Sequence, residues 1–310
     1  MLTPGQGQHA PALQAAEQAL VRGDFASCAE TASRVIAQDA INVQAHLFRG
    51  VASAQLGELE RAVQDLLFVL ERQPDNLRAR FYLGQSLRRT GQFDAALPHL
   101  QAALDEPGLR PHARFELARS FRGLGRFNTA IDHYRELLRE APNHADAAAN
   151  LAMLLEKTSQ LDDALAWSER ATLLAPANVT ALLTRARTTR RLGHFEDAAR
   201  QFEDLLARDL PFRSRVIAAN QLGHCLDRLE RYDEAFERFR EANELQKAHD
   251  PEALVDHHGC YGIDLARFFP GWLDEHPVED WSPAPPDDRV PPVFLVGFPR
   301  SGTTLLDQVL

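Results

Sequence analysis

One spacing constrains this chain more than its composition does. The junctions GDF, GEL, GQF, GRF, SQL and GHF begin at Gly23, Gly57, Gly91, Gly125, Ser159 and Gly193, a constant step of 34 residues. A seventh junction, ERY from Glu230, arrives three residues late. Frames laid on these junctions run over residues 9–42, 43–76, 77–110, 111–144, 145–178, 179–212 and 216–249. A unit of this length cannot bury its own apolar face, so its core forms by stacking on its neighbours.

The chemistry repeats with the spacing. Position 8 of each frame is small: Ala16, Gly50, Gly84, Ala118, Ala152, Ala186 and Gly223. Position 20 is small again: Cys28, Ala62, Ala96, Ala130, Ala164, Ala198 and Ala235. Position 17 between them is large: Phe25, Leu59, Phe93, Phe127, Leu161, Phe195 and Tyr232. Small residues on facing helices let two backbones approach, and the bulky residue fills the space beside the turn. The glycine near position 15 predicts a left-handed cap on the first helix. Pro74, Pro142 and Pro176 near position 32 predict the stop of the second. Gly108, Leu210 and Lys247 depart from that proline, and the first frame is weakly patterned, as a terminal capping unit is.

These residues resemble the tetratricopeptide repeat family. The resemblance implies an all-α fold, a right-handed superhelix of seven helix-turn-helix units. In that family the inner groove is lined mainly by positions 2, 5, 9, 12 and 13 of each unit. Those positions here hold Arg78, Arg88, Arg89, Arg119, Arg122, Lys157, Arg187, Arg190, Arg191 and Arg228, interrupted by Asp146, Glu156 and Asp227. The chain carries a formal net charge of -10, which argues against generic nucleic-acid binding and makes a local basic stripe notable. Two readings stay open. Arginines late in a helix complement its macrodipole and can simply be solvated. Alternatively, the stripe is a basic groove for an acidic segment of a partner protein, held by paired guanidinium–carboxylate hydrogen bonds. The Lys and Asn pattern with which some co-chaperone repeats clamp a terminal carboxylate is absent, since position 5 carries Leu47, Phe81, Phe115 and Leu183.

Beyond the repeats, residues 250–282 form an aromatic-rich junction with Tyr261, Phe268, Phe269, Trp272 and Trp281, expected to cap the array through a short amphipathic helix over 263–269. His257 and His258 are adjacent, a poor spacing for one metal, and read as surface or interdomain residues. Residues 283–292, PAPPDDRVPP, are a proline-rich linker, and residues 1–8 an N-terminal tail.

After the linker the pattern changes. Val293 to Val296 is a short apolar run without helical period, expected as a buried parallel strand. It is followed by Gly297, Phe298, Pro299, Arg300, Ser301, Gly302, Thr303 and Thr304, then by helix-forming Leu305 to Leu310. Strand, glycine-rich loop and helix start are the context expected of a phosphate loop, whose backbone N–H groups would point at a bound anion. The spacing imitates a nucleotide-binding loop, but Thr303 stands where the phosphate-binding lysine would be. The string from Pro299 to Leu305 resembles the 5′-phosphosulfate loop of sulfotransferases that use 3′-phosphoadenosine 5′-phosphosulfate, in the branch of the tyrosylprotein sulfotransferases and of bacterial enzymes fused to tetratricopeptide repeats. The resemblance implies that Arg300, Ser301, Gly302, Thr303 and Thr304 hold the donor's 5′-phosphosulfate, and that Arg300 stabilises charge developing on the bridging oxygen. It also implies a hydroxyl acceptor, which could be a protein tyrosine, a saccharide, a lipid or a small molecule.

Residues 293–310 then read as the first strand-loop-helix of an incomplete α/β sulfotransferase domain, without an identifiable general base. The expectation is that the 310-residue chain has no transferase activity by itself. The alternative is a non-catalytic repeat scaffold whose tail imitates a phosphate loop. Cys28, Cys225 and Cys260 are far apart, so neither a disulfide framework nor a zinc site is indicated, and Cys28 is expected in the core. No basic-then-apolar leader and no uncharged stretch of membrane-spanning length occurs, which sets a soluble, cytoplasmic expectation.

Overall fold

The computed structural model describes residues 9–249; the 250–282 junction, the linker and the phosphate-loop string with Arg300 to Thr304 lie outside the described residues. Within them the chain forms fourteen α-helices and no strand. Successive pairs make seven hairpins: α1 (Ala10–Val21) with α2 (Phe25–Gln38), α3 (Val43–Leu56) with α4 (Leu59–Arg72), and α5 (Leu77–Arg89) with α6 (Phe93–Ala102). There follow α7 (Arg110–Gly123) with α8 (Phe127–Glu140), α9 (Ala145–Lys157) with α10 (Leu161–Leu174), α11 (Val179–Arg191) with α12 (Phe195–Leu206), and α13 (Phe212–Arg228) with α14 (Tyr232–His249). No helix among the described residues is long and apolar enough to cross a membrane.

The recurring residues place these boundaries. Asn42, Asn76 and Asn178 end their frames, and each side-chain oxygen accepts from the backbone N–H three residues on, at 3.0, 2.9 and 3.0 Å. This satisfies one orphan donor at the start of α3, α5 and α11. His144 does the same for α9 through Nδ1, which accepts from the Ala147 N–H at 3.2 Å. At the other end of the first helices, position 15 is left-handed throughout, with φ at its five glycines from 73° at Gly125 to 88° at Gly193. Ser159 and Glu230 take the same conformation without being glycine, at φ 63° and 61°.

The small column at position 8 faces position 24 of the same hairpin. A Cβ added at Gly50 would lie 2.9 Å from Leu66 Cγ, at Gly84 2.6 Å from Leu100 Cγ, and at Gly223 2.6 Å from the Phe239 ring. Cys28 and Cys225 are buried free thiols in this core, as expected for Cys28, and burial pushes both up to about 11. The seventh unit departs from its frame: α13 starts at Phe212, behind Pro211, so the frame beginning at residue 216 opens one turn inside a helix. The three extra residues lengthen the helix and do not form a loop.

Along the array the core divides into three apolar clusters. One extends from α1 to α7, around Phe48, Leu66, Leu83 and Leu100. A second covers α7 to α11, around Tyr134, Leu137, Leu151 and Leu155, and a third α11 to α14, around Phe202, Leu222 and Leu226. First helices of successive units lie side by side, α3 beside α5, α5 beside α7, α9 beside α11 and α11 beside α13. That stacking brings the basic positions of neighbouring units together.

Candidate functional site

The basic residues on the first helices fall into columns, and each column has its own partner. At position 12, Arg88 Nε donates to Glu116 on the next first helix, and Arg122 Nη1 donates to Asn150 Oδ1 at 3.1 Å; both bonds reach 28 residues forward. The acceptors occupy position 6. Where position 12 is apolar, as at Leu20 and Ala54, position 6 of the next unit is aromatic, Phe48 and Tyr82, and all four belong to one cluster. In the same register Arg190 precedes Gln221. The buried Arg190 Nε and Gln221 Oε1 each lack a hydrogen-bond partner, and Arg190 lies close enough to lower the Cys225 thiol against the larger effect of burial.

Position 13 reaches backwards. Arg89 Nη1 donates to the Ala54 carbonyl and Arg191 Nη1 to the Glu156 carbonyl, each 35 residues earlier, so a guanidinium caps the last turn of the preceding first helix. Lys157 Nζ sits 4.2 Å from the centroid of Phe127, and Arg228 Cζ 5.4 Å from that of Phe195, over the position-17 ring of the preceding unit. Gly123 is the exception in type and not in role: Phe93 occupies the space a side chain would take, with its Cζ 2.5 Å from an added Cβ. Every position-13 residue from Arg89 to Arg228 thus meets the preceding unit.

Two buried carboxylates organise what remains. Glu116, 6% exposed, takes Arg88, has Arg119 Nη1 at 3.6 Å and accepts from Gln85 Nε2 at 3.4 Å. Arg119 also lies over Phe115, 5.6 Å from its centroid. Burial holds Arg88 below the ordinary guanidinium range, and the Glu116 charge opposes that effect. Glu156, 3% exposed, accepts from Arg187 Nη2 at 2.7 Å and Arg191 Nη1 at 3.0 Å, while Arg191 Nη2 donates to Ser159 Oγ at 2.9 Å. Arg78 stands apart, exposed at the start of α5.

The sequence pattern therefore underestimates the carboxylates. Glu156 reads from the sequence as an interruption of the stripe, whereas it is buried beneath two of the arginines. Glu116 and Asn150, at position 6, fall outside the stripe positions altogether, and Gln85 occupies position 9 without a charge. The available signal is the register: an Arg at position 12 followed 28 residues later by a side-chain acceptor.

Between the units, Gln55, Leu59, Gln85, Arg88, Arg89, Glu116 and Arg119 line a recess of about 490 Å³. It holds three guanidinium groups against one carboxylate. Tyr134 is fully buried, its hydroxyl without a hydrogen-bond partner and within the field of Arg122, Arg119, Glu116 and Arg88.

Stacked helical hairpins that bury one shared core and present a polar face on their first helices define an α-solenoid repeat protein. The family profile described as tetratricopeptide repeat matches residues 13–67, 61–112, 115–178 and 183–249, which together span most of the chain. The chain belongs to the tetratricopeptide repeat family. Among solved structures, it is similar to PilF of Pseudomonas aeruginosa, at 18% identity and TM-score 0.56, over 64% of this chain and 90% of that one. It is also similar to MamA of Desulfovibrio magneticus RS-1, at 21% identity and TM-score 0.51, over 56% of this chain and 97% of that one. At these identities the likeness is one of fold. No curated protein matches the chain.

Proposed function

We propose that the chain is a protein-interaction scaffold, with the first-helix face of the array as its binding surface and an acidic segment as its preferred partner. The carrying observation is the recess lined by Arg88, Arg89 and Arg119 with Glu116 as its one carboxylate. Arg88 and Arg89 each commit part of their guanidinium to a neighbouring unit and Arg119 leans on Glu116 of its own helix; all three keep further N–H donors, and planar forks of this kind suit carboxylates. The inter-unit bonds hold the forks in place before a partner arrives, which reduces the ordering cost of binding. The test is fluorescence anisotropy of labelled acidic, neutral and basic peptides on the full chain. Acidic peptides should bind, and more weakly as salt rises. Equal binding of all three sets, independent of salt, contradicts the proposal.

A second reading rests on the string from Pro299 to Leu305 alone. In it the array presents an acceptor protein to a sulfotransferase domain that starts at residue 293, with Arg300, Ser301, Gly302, Thr303 and Thr304 around the phosphosulfate of 3′-phosphoadenosine 5′-phosphosulfate. The reading frame past codon 310 tests it. A second phosphate-binding segment and a Glu or His suited as general base support it, and a stop codon there removes it.

A further inference from the structure

The two buried glutamates set a distance. Glu116 gathers Arg88 and Arg119 at the boundary of α5 and α7, and Glu156 gathers Arg187 and Arg191 at the boundary of α9 and α11. In each cluster two guanidinium groups share one buried carboxylate, so each keeps a surplus positive charge and unused N–H donors. Each cluster also reaches the face: Arg119 is 33% exposed beside an Arg88 at 11%, and Arg187 and Arg191 are 36% and 30% exposed. Between the clusters the face is held by the Arg122–Asn150 bond and carries Met153, half-buried. Met is a contact that adapts to varied apolar side chains.

We infer that this face reads the spacing of acidic residues, taking an extended partner segment with two acidic side chains six residues apart. The inference rests on the acidic-partner reading above and adds a ruler to it. Packed helices lie about 8–10 Å apart. Two helix steps separate the α5–α7 boundary from the α9–α11 boundary, the step from α7 to α9 being bridged by the Arg122–Asn150 bond, so the clusters stand roughly 16–20 Å apart. An extended chain advances about 3.3–3.6 Å per residue, which makes that gap about five or six residues. An even separation places both side chains on the same side of an extended segment, which selects six. The residues at the two intervening even positions then face Arg122 and Met153. An acidic group one cluster-width short would meet Met153 and the single Arg122 guanidinium already bonded to Asn150, without the paired arginines found at either end.

The experiment uses the full 310-residue chain and a set of labelled peptides of one composition, each with two glutamates spaced by three, six or ten residues. Anisotropy should show the six-spaced peptide binding about tenfold more tightly than its isomers, the scale of one further charge-assisted hydrogen-bonded pair. Arg119→Gln and Arg187→Gln remove the more exposed member of each cluster and leave each buried glutamate its other arginine. Either substitution should reduce the six-spaced peptide to the affinity of its isomers. Affinity that follows total charge and ignores spacing overturns the ruler while leaving the acidic-partner reading intact. Absence of binding by every acidic peptide removes both. The spacing series runs on the wild-type chain, so its outcome does not depend on how well the variants fold.

Discussion

Arg88 on α5 and Glu116 on α7 form an ion pair across a unit boundary with side chains only 11% and 7% exposed. Surface ion pairs contribute about 0–1 kcal/mol, but a pair this deep is different, because removing one partner leaves the other charge buried. The two residues are 28 apart in sequence, so the bond ties unit three to unit four. Glu116→Ala should therefore destabilise the array by about 3–5 kcal/mol in urea unfolding. Replacing both residues, as Arg88→Met with Glu116→Leu, should recover most of that loss. A Glu116→Ala variant as stable as the wild type would show that the pair is dispensable.

Gly123 and Phe93 make a steric prediction of unusual sign. Ala is ordinarily favoured over Gly in a helix by about 1 kcal/mol. At Gly123 the added Cβ would meet three atoms of the Phe93 ring at 2.5–2.8 Å, so Gly123→Ala should instead destabilise by about 1–3 kcal/mol. Phe93→Leu should relieve the clash, making the double variant more stable than the sum of the single changes predicts. Thermal melts of the four proteins close the cycle.

Glu230 and Ser159 hold the left-handed cap without glycine. Glu230→Gly should stabilise by about 1 kcal/mol, the cost of that conformation for an L-residue. Ser159→Gly should gain less, because the Arg191 bond to Ser159 Oγ at 2.9 Å is lost with it. Chemical denaturation that ranks the two in the opposite order would contradict this account.

His133 and His99 give the array a pH dependence. Burial lowers both from the ordinary 6.5, with Arg114 and Arg80 adding to the effect at His133 and His99 respectively. The folded state then binds fewer protons than the unfolded one as pH falls through that value. Their contribution is complete above about 6.5 and is lost at lower pH. His133→Phe keeps the ring stack on Phe121, whose centroid is 5.2 Å away, and removes the titration. Unfolding free energy between pH 7.5 and 5 should fall less steeply for a His133→Phe, His99→Phe chain than for the wild type.

Much of the fold is legible in the order of residues alone. The step of 34, the small residues at positions 8 and 20 and the bulky one at 17 place the helix pairs, because each is a local steric requirement that recurs. The seventh frame is legible in content but not in position. Whether three extra residues form a loop or extend a helix depends on what α13 packs against, and α13 starts at Phe212.

The basic stripe divides along the same line. Sequence alone determined which residues occupy the first-helix positions, because the frame is set by local caps and turns. Tertiary structure decided their occupation: Arg89, Lys157, Arg191 and Arg228 brace the preceding unit, and Arg88 and Arg122 brace the next. It also decided that Glu116 and Glu156 are buried anchors and not interruptions. The physical reason is range. Helix capping and apolar period act within a few residues, whereas a guanidinium's partner is set by which side chain the stacking of units brings within hydrogen-bonding distance, 28 to 35 residues away.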